Sequence, residues 1–287
     1  QPPVKRHIKQ GRPSSDLSQA PTAMTRLARL KETLRNHRKS ANPLVRYGIA
    51  SIDWAREVAA RLKRFSTDDK YRALLFFRLL NPGVHQTTAV TWLNRYPKIF
   101  ASCQEFFGSR PDLKILSYGC STGEEVLTLR EYFPAARIIG AEINRRSLGI
   151  CRTRPVDDRI RFVHSDRRSI RREGPFDAVF CLAVLQRTPH LVERTGVESL
   201  KRIYPFRRFD RQVTELDTLL KPGGLLIIHH AHYLVSDATV ADGYRPLEGV
   251  EQEDSPGPKF GKDCSRLQKV VRTGSIFVKA VLRNGTS

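Results

Sequence analysis

From residue 114 onward, short unbroken apolar runs alternate with longer stretches whose apolar residues recur at helical spacing. Lys114-Ile-Leu-Ser-Tyr118 is the first such run, and Val126-Leu-Thr-Leu-Arg-Glu-Tyr-Phe133 the first helical stretch after it. Arg137-Ile-Ile-Gly-Ala-Glu-Ile143, Arg159-Ile-Arg-Phe-Val-His164, Phe176-Asp-Ala-Val-Phe-Cys-Leu182, Leu225-Leu-Ile-Ile-His-His230 and Ser275-Ile-Phe-Val-Lys-Ala-Val-Leu282 read as further strands. A helix from about Phe206 to Leu220 precedes Lys221-Pro-Gly-Gly224, read as a turn. Runs without polar alternation belong to strands buried on both faces. Their alternation with helices predicts an α/β fold with a doubly wound, mostly parallel, seven-stranded sheet.

The N-terminal third has a different pattern. Residues 1–22 are rich in Pro, Ser, Gln and charge, as in an arm without its own core. Helical periodicity covers Thr25 to Leu34, Ile52 to Phe65, Asp69 to Leu80 and, in two pieces split near Pro97, Thr87 to Phe107. Asn42-Pro43 and Asn81-Pro82-Gly83 are expected breaks. The expected division is an all-α extension over 1–108 and a catalytic α/β domain over 109–287. Residues 234–266, poor in apolar periodicity, are expected to form a lid or insertion.

Charge and cysteine usage add to this. Residues 1–66 hold 15 Lys/Arg and four acids, about half of the chain's net +21. Such a segment suits an acidic partner, nucleic acid or a membrane surface. Only Tyr47, Trp54 and Phe65 supply aromatic faces there and no nucleic-acid module is recognisable, so nucleic acid is the less favoured partner. Five cysteines without a Cys-x-x-Cys pair argue for a reducing compartment and against a structural metal. Without a long apolar run, a soluble, cytoplasmic protein is expected. Gln1 in place of an initiating Met is expected of a trimmed chain.

The segment Gly119-Cys-Ser-Thr-Gly-Glu-Glu125 lies where doubly wound folds bind a nucleotide-like cofactor. Two carboxylates in the first helical turn would repel a pyrophosphate but suit a cationic cofactor. S-adenosyl-L-methionine, with its ammonium and sulfonium, is such a cofactor, and S-adenosyl-L-homocysteine is its product. Glu142, 23 positions after Gly119 and at a strand end, is expected to hold ribose hydroxyls. Asp166, after the third strand, is expected to accept from an adenine amino group.

These motifs, in this order, resemble class I S-adenosylmethionine-dependent methyltransferases. The glycine loop, Thr88-Ala-Val-Thr-Trp-Leu-Asn-Arg95, Phe176-Asp-Ala-Val-Phe-Cys181 and Leu220-Lys-Pro-Gly-Gly-Leu225 are similar to motifs of the chemotaxis-receptor (CheR-type) glutamate O-methyltransferases. The resemblance covers residues 85–231 and implies a Rossmann-like domain. It places Glu124 on the methionine ammonium and Thr88, Thr91 and Arg95 at the methionine and methyl end. The cofactor set is completed by Gly119, Cys120, Ser121, Thr122, Gly123, Glu142, Ile143, Asp166, Cys181 and Leu182. Ala183 and Arg187 depart from the family, which has Asn and Tyr there, so a different acceptor is implied.

Methyl transfer is an in-line displacement, so alignment supplies most of the rate, and a base is required only when the acceptor must lose a proton. Candidates on the acceptor side are Arg95, for an acidic group, and His190, His230 and His232. Strand alternation puts His230 and His232 on one face and His229 on the other. The three imidazoles of His229-His230-Ala231-His232 on one strand cannot converge on one ion, so no metal is expected. The expected acceptor is an oxygen or nitrogen on a small molecule, glycan or protein side chain. The competing reading is a non-catalytic, methyltransferase-like binding protein that docks nucleic acid or an acidic partner through its basic N-terminal segment.

Overall fold

The computed structural model describes residues 42–67, 85–86, 90–253, 255, 257–269 and 274–281. Expected helices at Thr25–Leu34 and Asp69–Leu80, and Thr88, lie outside the described residues. The chain divides into two units, 1–73 and 74–287. The expected boundary at 108 falls inside the second.

In the first unit, helix α1 spans Pro43–Thr67. Asn42-Pro43 is therefore the helix start and not merely a break, because a proline at the first helical position loses no hydrogen bond. Tyr47, Ile52, Trp54 and Leu62 on α1 are exposed.

The second unit is built on a seven-stranded sheet of order β3-β2-β1-β4-β5-β7-β6. Its strands are β1 Lys114–Tyr118, β2 Arg137–Glu142, β3 Ile160–His164, β4 Phe176–Leu182, β5 Leu220–His229, β6 Tyr244–Pro246 and β7 Ile276–Lys279. The first five pair in parallel, while β7 runs antiparallel to both β5 and β6. Helices α2 Pro97–Phe107, α3 Glu124–Tyr132, α4 Arg145–Arg152, α5 Arg167–Glu173, α6 Pro189–Thr195 and α7 Phe206–Asp217 connect and cover them. Two cores follow from the period of two along each strand. Ile115, Ile138, Phe180 and Ile227 face α2, α3 and Cys151 of α4. Leu116, Ile139, Val179 and Leu226 face Ile170 of α5, Val192 of α6 and Val213 of α7.

Three local expectations change. Residues 90–96 are not helical: Asn94 adopts φ 50° and Tyr96, preceding Pro97, is held out of the helical region. Lys221-Pro-Gly-Gly224 is the irregular start of β5, with the register shifting opposite Phe176–Ala178. A Cβ on Gly224 would meet the Asp177 carbonyl oxygen at 2.7 Å. The described residues of 234–266 contain β6 and are pinned: Phe260 is fully buried, and the Glu253 carboxylate caps α2 by accepting from Lys98 N (2.7 Å) and Ile99 N (3.0 Å).

Candidate functional site

The β1–α3 turn sits at the C-terminal end of β1, an interior strand of the sheet, where a doubly wound sheet leaves a crevice. Gly119 turns the chain at φ 78°, and a Cβ there would approach Val184 Cγ2 to 2.6 Å. The loop is tied to β2 because Gly119 N and Cys120 N both donate to Ala141 O, at 2.8 and 3.2 Å. Gly123, at φ 97°, starts α3. A cleft of about 1020 Å³, open to solvent, lies over this edge. Thr91, Arg95, Gly119, Cys120, Ser121, Glu142, Ile143 and Leu182 line it, all named from the sequence.

Glu142 closes β2 with its side chain buried. Its carboxylate accepts from Ser121 N at 2.9 Å and Asn144 N at 2.7 Å. Burial raises its pKa, while the hydrogen bonds from Asn144, Ser121 and Ile143 oppose the rise. Each oxygen keeps a second lone-pair direction for a hydroxyl donor. Two buried polar atoms beside the cleft, Ser121 Oγ and Tyr96 Oη, have no hydrogen-bond partner among the described residues.

Of the two acids that open α3, Glu125 faces this cleft and Glu124 does not line it. Glu124, expected on the methionine ammonium, is instead ion-paired with Arg154 and accepts from Thr122 Oγ1 at 2.6 Å. The Glu125 carboxylate accepts from Ser117 Oγ at 2.7 Å. Burial pushes its pKa up to about 7, against the lowering by Ser117 and the positive charge of Arg95. Thr122 and Gly123 shape the loop without lining the cleft.

Asp166 is also placed elsewhere. It caps α5, accepting from Ser169 N at 2.9 Å and Ser169 Oγ at 2.7 Å, and it meets His164 Nδ1 at 3.1 Å. The Ser169 hydroxyl is the main reason its pKa falls to about 2. Ser165 lines the cleft in its stead. Cys181 points into the core below β4, and its neighbours Leu182 and Ala183 reach the cleft.

A second cleft of about 880 Å³ adjoins the first, and Gln86, Val90, Arg95 and Ala183 line both. It brings together Arg95, His190, His230 and His232, the four residues expected on the acceptor side, with Gln186, Glu193, Gly257 and Pro258. The Arg95 guanidinium donates to Val90 O at 2.7 Å and stacks over Trp92 and Tyr96, with centroids at 4.4 and 5.0 Å. His230 and His232 do not share a face by strand alternation. β5 ends at His229, and His230 leaves it with φ 53°. Burial, then the charges of Arg95 and Lys259, hold the His230 pKa down to about 4. Burial also lowers that of His232, whose Nε2 donates to Arg187 O at 3.1 Å. His229 belongs to the core, with Nδ1 at 2.8 Å from Ser275 Oγ.

Sequence reasoning missed Tyr96, Gln186 and Asn144, and of the two acids opening α3 it singled out Glu124 where Glu125 is the one that lines the cleft. Asn144 carries a readable signal, a helix cap: its side chain accepts from Arg146 N at 2.9 Å.

Residues 115–224 match the family described as a methyltransferase domain. No curated protein matches the chain. Among solved structures, the plantazolicin methyltransferase BpumL, solved with S-adenosylhomocysteine, is 11% identical over 59% of this chain and 56% of its own, with TM-score 0.36. The StiE O-MT segment is 22% identical over 44% of this chain and 40% of its own, with TM-score 0.30. The [4+2]-cyclase SpnF is 22% identical over 45% and 43%, with TM-score 0.33. The chain thus spans little more than half the length of the first of these proteins and less of the others.

Proposed function

We propose that this chain is an S-adenosylmethionine-dependent methyltransferase, with the cofactor in the cleft over Gly119 and Glu142 and the acceptor in the cleft beside it. The observation that carries this reading is the shared wall. Arg95 and Ala183 border both clefts, so a donor carbon and an acceptor atom can meet without leaving the protein. The residues present suit the cofactor. Glu142 takes ribose hydroxyls, the half-buried Glu125 carboxylate takes an ammonium, and the backbone at Gly119 leaves no room for a Cβ. When bound, S-adenosylmethionine supplies an electrophilic methyl group.

The chain's part is alignment and exclusion of water. Arg95, immobilised between Trp92 and Tyr96, is placed to hold an acidic group of the acceptor, and its charge also draws Glu125 toward ionisation. His230 makes no side-chain hydrogen bond among the described residues and is unprotonated at neutral pH, so it can take a proton from an oxygen or nitrogen acceptor. His232 is occupied by the Arg187 carbonyl and serves as a prop. Isothermal calorimetry with S-adenosylhomocysteine tests the cofactor reading, and absence of binding at millimolar ligand would end it.

A further inference from the structure

The chain's positive charge is concentrated in a second place, far along the sequence from the N-terminal segment. Residues 144–172 hold ten arginines, no lysine and three acids, a net +7. Outside 1–66 and 144–172, the other 192 residues together carry only +3. A general taste for arginine does not produce that distribution.

The fold gathers these arginines around one edge of the sheet. β3 is the edge strand, with α4 entering it and α5 leaving it. Cys151 of α4 packs into one core and Ile170 of α5 into the other, so the two helices lie on opposite faces. Exposed Arg145, Arg146 and Arg152 stand on α4 and exposed Arg168, Arg171 and Arg172 on α5, with Arg159 just before β3 and Arg161 on it between them. Of the acids nearby, Asp158 makes no ion pair with these arginines among the described residues, and the other three are already engaged. Asp157 pairs with Arg130, Glu173 with Arg161, and Asp166 caps α5. The six helical arginines have no ion pair or side-chain hydrogen bond among the described residues. Unneutralised like charges this close repel one another, a cost that a polyanion would remove.

We infer that this collar binds the sugar–phosphate backbone of a nucleic acid. Guanidinium forks match phosphate oxygens bidentately, which ammonium groups do not. A collar that turns from one face of the sheet, around its edge, to the other suits a strand or duplex that can follow it. A planar bilayer would reach only one side. Asn144, which caps the start of α4, also lines the cofactor cleft, so a bound polymer would pass beside the cleft mouth.

The test uses the full chain and two variants. One replaces Arg145, Arg146, Arg152, Arg168, Arg171 and Arg172 with Gln; the control replaces exposed Arg194, Lys201 and Arg202 with Gln. Fluorescence anisotropy with fluorescein-labelled RNA and DNA duplexes is measured over a salt series. The collar variant is expected to bind about tenfold or more weakly, and its salt slope to flatten by about 0.9 for each phosphate it no longer neutralises. The control should stay near wild type. Unchanged S-adenosylhomocysteine binding in both variants shows that the fold survives and keeps the result separate from the methyltransferase reading. The inference falls if wild type binds neither duplex, or if the collar variant binds as well as wild type. It falls equally if polyglutamate competes as strongly as duplex at equal charge. Collar-dependent binding to anionic phospholipid vesicles, without collar-dependent duplex binding, would identify a membrane surface instead.

Discussion

Glu125→Gln should make the protein more stable and the cofactor site worse. The carboxylate is half-buried beside the cleft with a single side-chain hydrogen bond from Ser117, and its pKa rises from 4.5 to about 7. In the unfolded chain it ionises near 4.5, so between these values the folded state holds a proton that the unfolded state has lost. Stability therefore falls with rising pH across this window, and the loss is complete above pH 7. At 1.36 kcal/mol per pH unit the full loss is about 3 kcal/mol, an upper bound because the cleft leaves one edge of the carboxylate open to water. Gln keeps the acceptor for Ser117 and never ionises. Urea denaturation should show the variant and wild type nearly equal at pH 4.5, with the variant more stable by about 1–3 kcal/mol at pH 8.5. Calorimetry at pH 8.5 should show S-adenosylhomocysteine binding about tenfold or more weakly, since the ammonium loses its counter-charge. A stability difference that does not change with pH, or a variant less stable at pH 8.5, would refute this account. It would mean that Arg95 already offsets the burial of the charge.

Three further outcomes are expected. Glu142→Ala should weaken S-adenosylhomocysteine binding by about 1–3 kcal/mol through lost charged hydrogen bonds, measured by calorimetry; unchanged affinity would remove Glu142 from the cofactor site. Gly119→Ala should destabilise by at least about 1–3 kcal/mol, because it imposes a positive φ on alanine and drives its Cβ into Val184. Adding Val184→Ala should recover the steric part alone, as read from thermal denaturation. Arg95→Ala should lower turnover on the true acceptor far more than it lowers Tm, and retained activity would take Arg95 out of the acceptor cleft.

The strands and the glycine turn were legible because each depends on a short local pattern. An apolar run long enough for a buried strand, followed by two glycines at forced backbone angles, has few other structures open to it. Which of two adjacent acids enters the cleft was not legible. Successive helical residues point about 100° apart, and Arg154, 30 positions on, is what turns Glu124 away. The capping bond of Asp166 could have been read from the sequence. A short acceptor side chain directly before a helical run is a cap first, and Asn144 repeats the pattern before α4. The three-residue strand β6 has almost no pattern of its own, since it exists only where β7 pairs with it. The second cleft was visible only in part. Its histidines were conspicuous, but Gln186, Gly257 and Pro258 come from segments that only the fold brings together.

The insertion of β7 between β5 and β6 also matters during synthesis. Every residue lining the first cleft lies between His85 and Val184, whereas β7 begins at Ile276. At about 5–20 residues per second, the intervening stretch takes a ribosome roughly 5–20 s to add. Throughout that interval the nascent chain has the elements of the cleft, and once β5 and then β6 have been added, β5 presents an unpaired apolar edge and β6 has no neighbour until β7 follows. Such an edge is a template for pairing with other chains. A nascent chain stalled before residue 276 should therefore be more prone to aggregate than the complete sheet, even though the whole cleft has already been made.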